Sequence, residues 1–102
     1  MVKIVSAENF DAFIEKGLVL IDFFAEWCGP CRMLTPVLET IASELPLVSI
    51  GKINIDDNAQ PAEKYEVSSI PTLILFKNGK EVARTVGLKD KNFLIELISK
   101  HA

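Results

Sequence analysis

The spacing of hydrophobic positions changes period several times along the chain, and each change marks a predicted element. Val2 to Val5 reads as a short strand, followed by Ser6 as an N-cap with Glu8 in the first turn and Val5 set to staple against Phe10. Phe10, Phe13 and Ile14 mark one helical face, which Gly17 ends. Leu18 to Ala25 is apolar at both odd and even positions except at Asp22, the mark of a central parallel strand covered on both faces. Leu34, Val37, Leu38, Ile41 and Leu45 then recur at helical spacing, opposite Arg32, Glu39, Thr40, Ser43 and Glu44. Pro36 falls inside this helix as an expected kink, and Pro46 closes it.

Leu47 to Ile55 is rich in β-branched residues and reads as a strand, and Asp56-Asp57-Asn58 turns into a short helix through Ala62 and Tyr65. Thr72 to Phe76 and Glu81 to Val86 flank Lys77-Asn78-Gly79-Lys80, where Asn-Gly is a strong hairpin signal. Asp90 caps a last helix whose expected buried stripe is Phe93, Leu94, Leu97 and Ile98, with Lys100 and His101 at its negative end. The order βαβαβα followed by ββα calls for right-handed crossovers between parallel strands and an antiparallel edge. The predicted fold is α/β, a mixed sheet with helices on both faces.

With 102 residues, 49% of them hydrophobic, and no linker, repeat or low-complexity segment, a single domain over 1–102 is expected. The formal net charge is −3 and no Lys/Arg cluster exceeds a pair, which leaves no electrostatic footprint for nucleic acid or an anionic membrane. The amino end has no secretory-signal pattern, and no apolar run approaches the roughly 20 residues of a bilayer span. The expectation is a cytoplasmic protein. In that reducing compartment, two neighbouring cysteines point to redox or metal chemistry rather than to a structural staple.

Both cysteines lie in Trp27-Cys28-Gly29-Pro30-Cys31, between the apolar strand and the helical pattern. Three readings compete: a redox dithiol, half of a zinc site, and incidental core cysteines. Zinc needs four ligands, or three plus water, and there is no second cysteine pair. The only histidine, His101, is next to the chain end. The βαβ context favours the redox dithiol. Cys28, nearer the positive end of the helix dipole, is the expected exposed attacking thiolate, and Cys31, one turn further in, the resolving thiol.

Asp22 stands six residues before Cys28 at the carboxyl end of the same strand, beneath the dithiol. Buried there, its carboxyl titrates high and exchanges a proton with Cys31, directly or through a water. An edge or bulge position would instead leave it wet and idle. Lys52 shares strand parity with Val48 and Ile50, so it either points inward to offset the Asp22 charge or lies in solvent. Pro71 follows Ile70 and immediately precedes a strand; an ordinary trans turn is the base expectation for such a proline.

Asp22-Phe23-Phe24-Ala25-Glu26-Trp27-Cys28-Gly29-Pro30-Cys31, Pro36, Lys52, Ile70-Pro71-Thr72 and Val86-Gly87, all in order over almost the whole chain, resemble the thioredoxin family. The resemblance implies a thioredoxin fold, a five-stranded mixed sheet flanked by four helices. It also implies a protein-disulfide reductase with no bound cofactor, whose redox-active Cys28–Cys31 disulfide is recharged by thioredoxin reductase and so draws on NADPH indirectly. Further implied are a cis Pro71 against the dithiol, Ile70 backbone groups that bind an extended substrate, and a docking surface of Trp27, Gly29, Pro30, Ile70 and Gly87. Asp22 would be the buried acid, Lys52 its neighbour and Pro36 the kink in the active-site helix. Phe24 departs from the tryptophan often found at that position, which removes an indole N–H.

Gly29-Pro30 adds no charge between the cysteines, so a reductant is preferred to an oxidase or isomerase. The expected partners are the reductase and disulfide-containing target proteins, and the expected state is a monomer. Two rivals are a binding module that uses the apolar surface around Trp27 and Pro71, and a glutathione-dependent oxidoreductase. For the latter, Arg32 is the one cation beside the motif.

Overall fold

The computed structural model describes residues 1–102 as nine elements in a single sheet with four helices. They are β1 Val2–Val5, α1 Phe10–Ile14, β2 Leu18–Phe24, α2 Gly29–Glu44, β3 Val48–Asn54, α3 Ala59–Lys64, β4 Thr72–Lys77, β5 Lys80–Val86 and α4 Lys91–Ser99. The sheet order is β1-β3-β2-β4-β5. β3 pairs in parallel with β1 and β2, and β4 pairs antiparallel with β2 and β5. β2 is therefore the central strand, and all seven of its residues are buried. No helix is long and apolar enough to cross a membrane.

Strand alternation divides the interior into two layers. Leu18 and Leu20 of β2 join Leu34, Leu38 and Ile41 of α2 and Leu94 and Ile98 of α4. Val19, Ile21 and Phe23 join Phe10 and Ile14 of α1 and Ala62 of α3 on the opposite face. By the same period of two, Asp22 faces α2 and α4. Asp22 is fully buried in the central strand, as expected, and the alternative of a wet edge position is excluded.

Gly51 stands on the α1 face of β3, where a Cβ would lie 2.5 Å from Val5 Cγ2 and 2.9 Å from Phe13 Cε2. Gly51→Ala is expected to destabilise the fold by about 1–3 kcal/mol through overpacking, read as a lower urea midpoint at unchanged slope. The hairpin tip follows its sequence signal, with positive φ at both Asn78 (52°) and Gly79 (86°), the combination a type I′ turn requires. Asn78 also clamps the earlier turn: its Oδ1 accepts from Gly17 N–H and its N–H donates to Gly17 O, both at 2.9 Å.

Two local expectations are corrected. Ser6 does not cap α1, which begins only at Phe10. Residues 6–9 instead close on themselves, with Ser6 N–H donating to Asn9 Oδ1 at 2.9 Å and Asn9 N–H to Ser6 O at 3.2 Å. At the other end, the Asp90 cap is present, its Oδ1 accepting from Phe93 N–H at 2.8 Å, but Phe93 is 46% exposed. Leu94 and Ile98 suffice as the i, i+4 stripe, and the Phe93 ring borders it 5.7 Å from the Lys89 ammonium.

Candidate active site

The chain leaves the carboxyl end of β2 and enters α2 at Cys28, whose extended backbone (φ −89°, ψ 111°) makes it the N-cap residue. Its Sγ accepts from Cys31 N–H at 3.2 Å, so the cap is made by sulfur. Pro30 occupies the first turn, where its missing N–H breaks no helical bond. A negative sulfur here meets an amide donor and the positive end of a sixteen-residue helix. Cys28 and Cys31 are joined as a disulfide. Nowhere do three His, Cys, Asp or Glu side chains converge as a metal set.

The expected exposure of Cys28 is corrected. In the oxidised pair Cys28 is 5% exposed and Cys31 2%, because both pack with Phe24 and Ala25 beneath Ile55 and Ile70. Around the pair, Trp27 is 68% exposed, Pro30 is exposed and Gly29 is half-buried. The Trp27 indole N–H donates to Asp56 Oδ2 at 3.0 Å. In the sequence Asp56 is a turn residue, and the β3–α3 connection brings its side chain to Trp27.

The Ile70–Pro71 peptide is cis, as the resemblance implied. Pro71 itself is buried and Ile70 half-buried against the dithiol cluster. Gly87 N–H donates to Pro71 O at 2.8 Å, which holds the end of β5 beside this turn, and Gly87 adopts a left-handed φ of 95°. Ile70 N–H and C=O have no partner within the chain, so an extended peptide laid along them gains main-chain hydrogen bonds.

Asp22 is buried on the α2 face of β2, and neither of its carboxylate oxygens has a hydrogen-bond partner within the chain. Burial pushes its carboxyl from an ordinary 3.8 up to about 7, and the Lys52 ammonium pulls less strongly in the opposite direction. Lys52 is the register partner of Asp22 across β2 and β3 and is half-buried, which resolves its two expected placements in favour of the inward one. It nevertheless makes no ion pair with Asp22. Its Nζ donates to Thr35 Oγ1 at 3.1 Å and sits 4.5 Å from the centroid of the Phe24 ring. No sequence pattern marks Thr35, whose contact with Lys52 spans 17 positions.

The site thus joins a sulfur at a helix cap to a second sulfur one turn away, and the central strand that leads into it buries a carboxyl poised near neutrality. A family model described as Thioredoxin matches residues 1–100. The chain is 78% identical over 102 residues to a thioredoxin of Chlamydia pneumoniae, covering all of both chains. It is 47% identical over 102 residues to one of Staphylococcus aureus, covering 99% of this chain and 97% of that one. Among solved structures it is similar to a single-site mutant of a thioredoxin from Halobacterium salinarum, with a TM-score of 0.90 and 40% identity over 97% of this chain and 88% of that one.

Proposed function

The chain belongs to the thioredoxin family, and from that premise we propose how the labour of disulfide reduction is divided among its residues. It is a thiol–disulfide oxidoreductase of the protein-disulfide-reductase kind, with the Cys28–Cys31 pair as its redox group. In the reduced form the Cys28 thiolate attacks one sulfur of a target disulfide, and the other target sulfur leaves as a thiolate and takes up a proton. Cys31 then gives its proton to the Asp22 carboxylate, through a water where needed, and its sulfur attacks Cys28. The second target sulfur departs as a thiolate and takes up the proton that Asp22 returns, so the target has gained two electrons and two protons, one from solvent and one from Cys31, and Cys28–Cys31 is again a disulfide.

The observation that carries this reading is the Cys28 cap, which aims the Cys31 amide at the sulfur that must hold negative charge. Trp27, Gly29, Pro30, Ile70, Pro71 and Gly87 form the docking surface, with Ile70 pairing to the target backbone. A carboxyl that titrates near 7 is suited to both accepting and returning the proton at neutral pH. Lys52 tunes that acid from across the strand pair. The whole chain works as one monomeric domain in the cytoplasm, and a thioredoxin reductase using NADPH restores the dithiol.

Cys31→Ser tests the order of events. Incubated with a disulfide-containing protein, this variant is expected to stall as a covalent adduct through Cys28, released by added dithiol and visible by mass spectrometry. Absence of an adduct, or an adduct through any other atom, overturns the assignment of Cys28 as the attacking sulfur.

A further inference from the structure

Thr35 lies one turn beyond Cys31 on α2 and bridges two parts of the site. Its Oγ1 accepts from the Lys52 ammonium at 3.1 Å, and its hydroxyl is 3.4 Å from Cys31 O, to which it donates. Lys52 thus has a hydrogen-bond acceptor on the helix, while the carboxylate on the neighbouring strand has none. A cavity of about 50 Å³ borders Cys31, Thr35, Lys52 and Phe24, which is ample for a water molecule. We infer that Thr35 is a positioning residue that tethers the Lys52 ammonium to the active-site helix, off the Asp22 carboxylate, and so keeps that carboxyl able to exchange the Cys31 proton.

A lysine paired in register with a buried aspartate would ordinarily close an ion pair, since both ions are partly or wholly removed from water. Here the Thr35 hydroxyl and the face of the Phe24 ring hold the ammonium instead. The other charged or titratable groups near Asp22 are few. Cys31, Arg32 and Glu26 line the cavity together with Lys52, and the Arg32 guanidinium is occupied by Glu26 O at 2.8 Å. β4 and α4 present Leu73, Leu75, Leu94 and Ile98 to that side. Lys52 is therefore the cation whose placement decides how readily Asp22 ionises, and Thr35 is the group that decides where Lys52 sits.

The inference rests on the proposed proton-exchange role of Asp22, and the test separates the two. The Asp22 carboxyl is followed by carbon-13 NMR as a function of pH in wild type, Thr35→Val, Thr35→Ser, Lys52→Met and the Thr35→Val/Lys52→Met double variant. Valine keeps the shape of threonine and removes the hydroxyl, freeing the ammonium to approach the carboxylate. In Thr35→Val the midpoint is expected to fall by about one pH unit. Thr35→Ser is expected to match wild type, and the valine effect to vanish in the Lys52→Met background. An unchanged or raised midpoint in Thr35→Val, or a fall that persists without Lys52, overturns the inference. Resolution rates in Asp22→Asn report separately on the acid, so a defect there with no Thr35→Val shift rejects the tether alone.

Discussion

Serine in place of Cys28 is expected to leave a folded protein that no longer reduces disulfides, with turnover lower by at least about 10³-fold. The size of the loss follows from the chemistry of the atom removed. A thiolate at the cap is stabilised by Cys31 N–H and by the helix terminus, whereas a serine hydroxyl at the same place stays protonated at neutral pH. The fold is spared for the same local reason, because serine is a preferred N-cap and its oxygen accepts from the same amide. Reduced wild type is the proper reference, since it too lacks the cross-link. The readout pairs NADPH oxidation in the presence of a thioredoxin reductase and a disulfide substrate with urea unfolding. Substantial turnover by a folded Cys28→Ser protein would remove Cys28 from its assigned role.

Most of what determines this site is legible in the sequence, because it depends on short-range periodicity. The apolar run from Leu18, broken only at Asp22, identifies a doubly covered strand, which marks Asp22 as a buried acid six residues before Cys28. Asn78-Gly79 specifies a turn with two positive φ values, and the structure has both. Cys28 before Gly29-Pro30 specifies a helix start. What escaped the reading depends on pairs of residues far apart in sequence. Asp56 meets Trp27 across 29 positions, and Thr35 meets Lys52 across 17. Each looks in isolation like an ordinary turn or helix polar residue. The misplaced cap at Ser6 has a different origin. Ser6 and Asn9 are both good capping types, and their mutual bonds satisfy the turn without engaging the helix. The burial of Cys28 is likewise not legible locally, because it depends on Ile70, 42 positions later, packing against the dithiol.

The second large effect concerns Asp22→Asn, which is expected to exchange activity for stability. In the folded protein the Asp22 carboxyl titrates at about 7, above its ordinary 3.8, so between these values the native state holds a proton that the unfolded chain has released. Stability therefore declines as pH rises through this window, and the penalty is complete above about pH 7. Its upper size is on the order of 4 kcal/mol, from about 3 pH units at about 1.4 kcal/mol each. Asparagine carries no charge to bury, but its amide still lacks partners, which returns about 1–3 kcal/mol of that gain. The variant is thus expected to exceed wild type by about 1–3 kcal/mol at pH 8.5 and to lose this advantage at pH 4, as measured by urea unfolding at the two values. Parallel stability profiles would show that Asp22 is not the group being desolvated. With no carboxylate below Cys31, resolution of the mixed disulfide at neutral pH is expected to slow by about 10²-fold, the low end of what a positioned base contributes. Raising the pH should restore the rate as solvent hydroxide takes over removal of the Cys31 proton. An unchanged resolution rate at neutral pH would leave Asp22 a structural oddity, whereas the paired changes in stability and rate would tie its desolvation cost to the reaction.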